Sequence, residues 1–151
     1  MSRLIMSKST RIDSTSAPPP VGVYPHARRH GDLLFLSGIG PRPPGGGLPP
    51  DVVVDDNGKV TQYDIEAQCH AVFANVRAVL EAASANWEDL IDVTVYLTDI
   101  RKDFKAFNKV WSEYFDAGGP TRTTVEVARL PTPIAIELKC IAAAPEKEGN
   151  R

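Results

Sequence analysis

Two residues of opposite charge in the last third of the chain have types and positions that could do chemistry. Arg122 follows the Gly-Gly-Pro break at 118–120 and opens a predicted strand, where its planar guanidinium could bind a carboxylate. Glu137 lies within the apolar segment 134–143, where a carboxylate is either paired or kept for proton transfer. Spacing alone favours a surface ion pair for Arg122, and for Glu137 it allows a pair with Lys139 equally well.

Other residues that commonly carry chemistry lack the spacing that it requires. His26, His30 and His70 form no His-Glu-x-x-His or related motif, so the sequence predicts no metal site. Cys69 and Cys140 each stand alone in apolar surroundings, which favours small buried thiols in a reducing compartment over a zinc or redox motif. The sequence contains neither a Gly-x-Ser-x-Gly elbow nor a phosphate-binding loop ending in Gly-Lys-Ser/Thr.

The elements that must position these residues follow from hydrophobic periodicity. Apolar residues recur at steps of three and four over 64–85 and over 102–115, which predicts two helices. Asp64 or Thr61 can cap the start of the first helix, and Asn86 can adopt the left-handed turn that ends it. Short apolar or alternating segments predict strands at 32–37, 90–97, 122–127 and 134–143.

This order of elements predicts an α+β domain in which two helices cover one face of a mixed sheet. Alternation along the last two strands divides their residues between the faces. The set expected on the uncovered face comprises Arg122, Thr124 and Glu126 from one strand and Ala135, Glu137, Lys139 and Ile141 from the other. Such a mixture of charged and small apolar groups predicts subunit contacts and a pocket. Residues 40–50, rich in proline and glycine, predict a long loop of the kind that often lines a site, and Asn57-Gly58 predicts a turn.

Composition favours one soluble globular domain. The 151 residues are 42% hydrophobic and 24% charged with a net charge of −2, so there is no basic surplus for nucleic acid and no apolar run that could span a membrane. Residues 1–20 have few apolar anchors and predict a mobile arm or one that orders only against a partner, 21–144 predict the single domain, and 145–151 predict a polar tail. The N-terminus lacks the apolar run of a signal peptide, so we expect a cytoplasmic protein.

Four segments of the chain resemble the Rid family, also called YjgF/RidA, of imine and enamine deaminases. They are VGVYPHARRHGDLLFLSG (21–38), DIEAQCHAVFANVRAVLEAA (64–83), DVTVYLTDIRKDFKAFNKVWSEYF (92–115) and PTRTTVEVARLPTPIAIELKCIAAA (120–144). The last is the most specific, with its P-x-R, V-x-V-x-x-L-P and I-E patterns in register. The resemblance implies a chorismate-mutase-like fold of the bacillus type and a homotrimer with active sites in the clefts between subunits.

The same resemblance implies the residues of the site. Arg122 matches the arginine that binds the substrate carboxylate, and Glu137 matches the glutamate that positions the hydrolytic water. The other expected substrate-binding residues are Tyr24 at the pocket wall, Gly38 whose backbone faces the substrate, Asn108 on the second helix, and Thr124, which stands where the family often has a cysteine.

The segments YPHARR, SGIGPR, RKDFKAFN and RTTVEVARLPTPIAIELK resemble the subgroup that deaminates 2-aminomuconate, a six-carbon enamine dicarboxylate formed in the degradation of aromatic compounds. The implied reaction is tautomerisation to an imine, attack by water and release of ammonia, which leaves 2-oxo-3-hexenedioate. Because imines react with water unaided, we expect no metal or cofactor. The second carboxylate needs a second partner, for which Arg28, Arg29, Arg42 and His26 are candidates.

Two other functions stay open from the sequence. The chain could be a general deaminase of small 2-imino acids of the 2-iminopropanoate and 2-aminoacrylate class, which the resemblance implies as the usual substrates, although its loop and pocket residues depart from the common pattern. It could also be a ligand-binding trimer without catalytic activity, although the retention of Arg122 together with Glu137 argues against this. A ribonuclease or translation inhibitor is disfavoured by the net charge of −2.

Overall fold

Eight strands and two α-helices make up residues 9–146, the part of the chain that the computed structural model describes. The strands are β1 (Ser9–Ile12), β2 (Ala27–His30), β3 (Leu33–Leu36), β4 (Val53–Val54), β5 (Val60–Gln62), β6 (Leu90–Leu97), β7 (Thr121–Glu126) and β8 (Ile136–Ala143). The helices are α1 (Ile65–Ala82) and α2 (Ile100–Tyr114), and a short 3₁₀ helix spans Trp87–Asp89. Every helix and strand predicted from periodicity is present, with small shifts at the ends. No helix within 9–146 is long and apolar enough to cross a membrane.

Helix α1 begins where the sequence predicts but ends differently. The Asp64 carboxylate accepts a hydrogen bond from the backbone of Ala67 at 3.1 Å, which is an N-cap. At the other end Ser84, and not Asn86, adopts the left-handed conformation, with φ 58°. The backbone N–H of Ala85 reaches back to the carbonyl of Leu80 at 2.9 Å, as in a Schellman motif. The predicted role of Asn86 is therefore wrong, because the chain has already turned two residues earlier and Asn86 starts the 3₁₀ helix.

The main sheet has the order β1-β2-β3-β8-β6-β7, and β4 pairs with β5 in a separate hairpin. Only the pair β6–β7 is parallel within the six-stranded sheet, and α2 connects these two strands. Both helices pack on one face of this mixed sheet, as predicted. The strand residues that form the core beneath them are Leu34, Leu36, Val93, Val95, Leu97, Ile136, Leu138, Cys140 and Ala142, each at most 2% exposed.

No helix within residues 9–146 covers the opposite face of the sheet. Cross-strand partners point to the same face, and the registers place Leu33, Phe35, Tyr96, Val125 and Ile141 together there. Three of these large apolar side chains are substantially exposed: Leu33 at 38%, Phe35 at 37% and Val125 at 37%. A sheet face with this much exposed apolar surface is typical of a surface that meets another chain.

The segment before residue 21 belongs to the fold, which corrects the predicted mobile arm over the residues that the structure describes. β1 pairs antiparallel with β2 at four successive positions, and Ala17 is buried at 5% exposure. The anchor is His26, whose Nδ1 accepts a hydrogen bond from the Ser14 backbone at 3.0 Å and whose Nε2 lies 2.8 Å from the Pro18 carbonyl. Partners distant in sequence thus order a segment that has few apolar residues of its own. The remainder of the predicted arm, 1–8, lies outside the described residues, as do 147–151 of the predicted tail.

Candidate active site

Arg122 lies at the start of β7 and packs against the side of α2. Its Nη2 donates a hydrogen bond to Asn108 Oδ1 at 2.9 Å. Its guanidinium carbon lies 4.9 Å from the ring centre of Trp111, 5.1 Å from that of Phe107 and 5.9 Å from that of Phe104. Burial lowers the pKa of Arg122, yet an arginine stays charged at neutral pH. No carboxylate within 9–146 forms an ion pair with it, so the predicted surface salt bridge is wrong.

Thr124 lies two residues further along β7 and therefore on the same face as Arg122. Its hydroxyl oxygen is buried and has no hydrogen-bond partner among the described residues. A buried hydroxyl without a partner costs free energy, and such groups are often reserved for a ligand. We call Arg122, Asn108 and Thr124 the cation half of the site.

Glu137 lies near the start of β8, on the uncovered face of the sheet. No hydrogen bond or ion pair to its carboxylate is found within 9–146, and burial raises its pKa. The ion pair with Lys139 that the sequence allowed does not form, because Lys139 Nζ donates to the carbonyl of Leu36. A carboxylate that is partly buried, unpaired and raised in pKa is suited to accepting and returning a proton.

Gly38 is the residue that lies against the Glu137 carboxyl group. A Cβ atom on Gly38 would lie 3.1 Å from both Cδ and Oε1 of Glu137, so a side chain there would crowd the carboxylate. The next residue, Ile39, exchanges two backbone hydrogen bonds with Leu138, of 2.9 and 2.8 Å, and this fixes the two segments side by side. The absence of a side chain at Gly38 leaves room beside the carboxylate.

Tyr24 and Gly38 line one small cavity of about 30 Å³, which Arg42 and the N-terminal segment at 17–20 also border. The Tyr24 hydroxyl accepts a hydrogen bond from the Val21 backbone at 3.3 Å, and the residue is 37% exposed. We call Glu137, Gly38 and Tyr24 the acid half of the site.

Two buried amides of α1 hold the loop that borders this cavity. Asn75 Nδ2 lies 2.8 Å from the carbonyl oxygens of both Gly40 and Arg42 and donates to them. Gln68 is fully buried and bridges two segments: its Nε2 donates to Asp51 at 3.0 Å, and its Oε1 accepts from the Ala135 backbone at 2.8 Å. The loop at 40–52 is therefore fixed at both ends to the helix that lies behind the acid half.

The two halves lie on opposite faces of the sheet. The ladders pair Val93 with both Arg122 and Cys140, so these three side chains share the face that the helices cover. Glu137 precedes Cys140 by three positions and points to the other face. Because β6 also separates β7 from β8, Arg122 and Glu137 do not meet within one chain.

The prediction that Arg122, Thr124 and Glu126 share the uncovered face with Glu137 is therefore wrong. The alternation along β7 is as predicted, but the sets are reversed, and Val125 is the residue that lies on the open face. β7 is the edge strand of the sheet. Its inward positions lie at the rim of the helix layer, where Arg122 stays partly exposed and Glu126 is exposed, although the Thr124 hydroxyl is buried.

The rings of Phe104, Phe107 and Trp111 surround the Arg122 guanidinium, and the sequence alone did not indicate them as candidates for the site. They recur at steps of three and four on α2 and are interpreted above only as the apolar side of a helix. The available signal was Asn108 within the same stretch, because a polar residue beside an aromatic stripe suggests a platform for a cation.

Metal and thiol chemistry have no support in this part of the chain. No three His, Cys, Asp or Glu side chains of residues 9–146 converge on a point that could hold a metal ion. Cys69 and Cys140 are both buried, and burial raises the pKa of each thiol to about 12, so neither is a thiolate at neutral pH. A larger open cleft of about 770 Å³ lies between the β4–β5 hairpin, the start of α2 and the loop at 128–134, and none of the six predicted site residues lines it.

Comparison with known proteins gives one consistent family. The family model described as Endoribonuclease L-PSP matches residues 14–144. A RutC family protein of Pyrococcus abyssi is 38% identical over 131 residues, covering 87% of this chain and 94% of the relative. The chloroplastic Reactive Intermediate Deaminase A of Arabidopsis thaliana is 33% identical over 135 residues, covering 89% of this chain and 66% of that protein.

The solved structures agree with this result. The crystal structure of TdcF from E. coli with bound serine superposes with a TM-score of 0.75 at 31% identity, covering 90% of this chain and 99% of that one. The fold, the family match over 14–144 and the relatives together show that the chain belongs to the Endoribonuclease L-PSP family, which includes the YjgF, RidA and RutC proteins.

Proposed function

We propose that this protein is a deaminase that hydrolyses the C=N bond of 2-imino acids, and that its substrate is the dicarboxylate 2-aminomuconate. The observation that carries the proposal is a pair of unmatched charges: Arg122 has no acid and Glu137 has no cation within residues 9–146. A substrate carboxylate supplies the missing anion, and a water molecule supplies the proton that the acid half exchanges. The deaminase named among the relatives supports the same class of reaction.

In this proposal Arg122 binds the carboxylate next to the imine carbon. Its remaining N–H groups can form two parallel bonds to a carboxylate, while Asn108 and the aromatic rings hold the guanidinium in place. A charged hydrogen bond of this kind contributes about 1.5–3 kcal/mol to binding. Holding the reacting atoms in a fixed orientation also lowers the barrier to attack by water.

Glu137 acts in this proposal as general base and then as general acid. The enamine first tautomerises to the imine by moving a proton from nitrogen to carbon. Glu137 takes a proton from water while the water oxygen bonds to the imine carbon, and the C=N π electrons become a lone pair on nitrogen that takes this proton back from Glu137. Glu137 then takes the proton of the new C–OH group and gives it to nitrogen, so that the O–H electrons form the C=O bond as the C–N bond breaks. The products are ammonia and 2-oxo-3-hexenedioate, and no cofactor takes part.

Because the two halves lie on opposite faces of one sheet, the proposal joins the cation half of one chain to the acid half of another. The exposed apolar residues Leu33, Phe35 and Val125 provide a surface for that contact. A homotrimer, the assembly that the sequence resemblance implies, would form three such sites. Its mass in solution would be three times the 16.4 kDa of one chain.

Support for a dicarboxylate comes from the sequence segments around 24–29 and 37–42 and from the long loop that borders the acid half. The alternative is a general deaminase of three-carbon 2-imino acids. The deciding experiment measures ammonia release from 2-aminomuconate and from 2-iminopropanoate, both generated enzymatically, with and without the protein. We expect a higher kcat/KM for 2-aminomuconate. Preference for 2-iminopropanoate would favour the alternative, and no acceleration of either reaction would refute a deaminase.

Mixed assemblies of two impaired variants test whether each site takes its halves from two chains. If Arg122→Ala and Glu137→Gln chains assemble at random, about a quarter of the sites regain both wild-type groups. The co-expressed mixture should therefore be more active than either variant alone, while the two variants purified separately and combined without subunit exchange should not. A co-expressed mixture that is no more active than its components would contradict a shared site.

A further inference from the structure

We infer that Arg42 binds the second carboxylate of the substrate and so selects dicarboxylates over monocarboxylates. The inference rests on the proposed function and assigns a residue that the sequence left undecided among four. Two guanidinium groups, one on each half of the site, would match a substrate that carries a carboxylate at each end.

Of the other three candidates, His26 lines the cavity beside Gly38 as Arg42 does, whereas Arg28 and Arg29 do not line it. Both ring nitrogens of His26 are used within the fold, by the Ser14 backbone and the Pro18 carbonyl. The Nε of Arg28 donates to the Ser9 hydroxyl across the β1–β2 pair. The Nε of Arg29 donates to the Gly31 carbonyl at 3.1 Å, in the turn between β2 and β3.

Arg42 lies where a second carboxylate would reach it. It borders the same small cavity as Tyr24 and Gly38, and Gly38 lies directly against the Glu137 carboxyl group. Arg42 is therefore a cation that borders the acid half, whereas Arg122 belongs to the cation half.

The backbone of Arg42 is fixed while most of its guanidinium remains available. Asn75 Nδ2 donates to the Arg42 carbonyl at 2.8 Å, and Arg42 Nη2 donates to the Pro19 carbonyl at 2.6 Å. No carboxylate within 9–146 forms an ion pair with Arg42. A guanidinium has five N–H donors, so four remain for a carboxylate after the bond to Pro19. Prior fixing by Asn75 and Pro19 lowers the entropy lost when the carboxylate binds.

Kinetics on two substrates test the inference. Arg42→Gln should lower kcat/KM for 2-aminomuconate roughly 10- to 100-fold, the effect of losing one charged hydrogen-bonding partner, and should leave 2-iminopropanoate nearly unchanged. Arg42→Lys keeps the charge and should recover part of the loss. Arg29→Gln, which removes an arginine that does not line the cavity, is the matched control and should not change the ratio of kcat/KM for the two substrates.

Binding of two unreactive acids gives a second measurement that does not depend on turnover. Muconate and 2,4-hexadienoate share the same six-carbon diene and differ in one carboxylate. Wild-type protein should bind muconate more tightly by roughly tenfold or more, and Arg42→Gln should abolish that preference.

The outcomes separate this inference from the function on which it rests. Equal losses on both substrates would assign Arg42 to holding the segment at 18–20 in place, and would overturn the inference, as would unchanged kinetics on 2-aminomuconate. Either result leaves the deaminase proposal intact as long as the wild-type protein releases ammonia. Wild-type protein that releases ammonia from neither substrate would overturn both.

Discussion

The cation half and the acid half differ in whether their charged group has partners within the fold. Arg122 is held by an amide oxygen and by the faces of aromatic rings on α2, so its position is fixed before any ligand arrives. Glu137 forms no hydrogen bond or ion pair within 9–146, and the backbone of Gly38 lies close to its carboxyl group. The arrangement around Arg122 suits binding, because a guanidinium that is already fixed loses little conformational entropy when a ligand binds. The arrangement around Glu137 suits proton transfer, because an unpaired carboxylate can change its charge.

This difference also predicts how the stability of the fold depends on pH. The pKa of Glu137 in the folded chain is raised above its unfolded value, so folding favours the protonated form. The resulting stabilisation is present at low pH and is lost as the pH rises through the raised pKa. Arg122 stays charged over this whole range and makes no such contribution.

The largest change in activity is expected from Glu137→Gln in the acid half. This substitution should lower kcat by roughly 10²- to 10⁴-fold with little change in substrate binding, because only the transition state needs the base. In wild-type protein kcat should fall as the pH drops through the raised pKa of Glu137, since the carboxylate is the active form. Thermal melting should show the variant gaining stability over wild type as the pH increases. A variant with wild-type kcat would exclude Glu137 as the base.

The next effect is expected from Arg122→Ala, which should lower kcat/KM roughly 10- to 100-fold for every 2-imino acid, whether it has one carboxylate or two. The uniform loss distinguishes this residue from Arg42. Arg122→Lys should remain impaired, because an ammonium group cannot reproduce the planar fork. Steady-state kinetics on both substrates check this prediction. A loss confined to dicarboxylates would mean that Arg122 does not bind the carboxylate next to the imine.

A smaller effect is expected from Gly38→Ala, which changes the acid half without removing its charge. The new Cβ would lie 3.1 Å from the Glu137 carboxyl and push it aside by a few tenths of an ångström. We expect kcat to fall about tenfold, because catalysis is sensitive to small displacements of a catalytic group. Gly45→Ala is the matched control, since nothing lies within 4 Å of a Cβ at that position. Equal activity of both variants would show that the approach of Gly38 to Glu137 has no catalytic consequence.

The smallest effect is expected from Thr124→Val in the cation half. The substitution keeps the shape and removes a buried hydroxyl that has no partner, so stability should be unchanged or higher by up to about 1 kcal/mol. If the hydroxyl forms a hydrogen bond to the substrate, kcat/KM should also fall roughly two- to tenfold. Denaturant unfolding measures the change in stability, and steady-state kinetics measure the change in kcat/KM. A clear loss of stability would show that the hydroxyl has a structural partner instead.

Much of the local structure could be predicted because it depends on residues close together in sequence. The apolar spacing over 64–85 and the capping carboxylate of Asp64 encode α1, and the alternation over 90–97 encodes β6. The end of α1 was missed by two residues, because Ser84 rather than Asn86 takes the left-handed turn. The order of the segment at 9–20 was also missed, because its anchor is His26, a residue that no local pattern links to Ser14 or Pro18.

The sequence itself determined the types of the candidate site residues, a cation at Arg122 and a carboxylate at Glu137. Which face of the sheet each residue occupies was decided only by the tertiary structure. A period of two fixes that Arg122 and Thr124 point the same way, but it cannot say which way, because the answer depends on the register with β6 and on the edge position of β7. That register separates Arg122 from Glu137 within one chain. The position of Arg42 at the cavity beside Gly38 was likewise decided only by the tertiary structure.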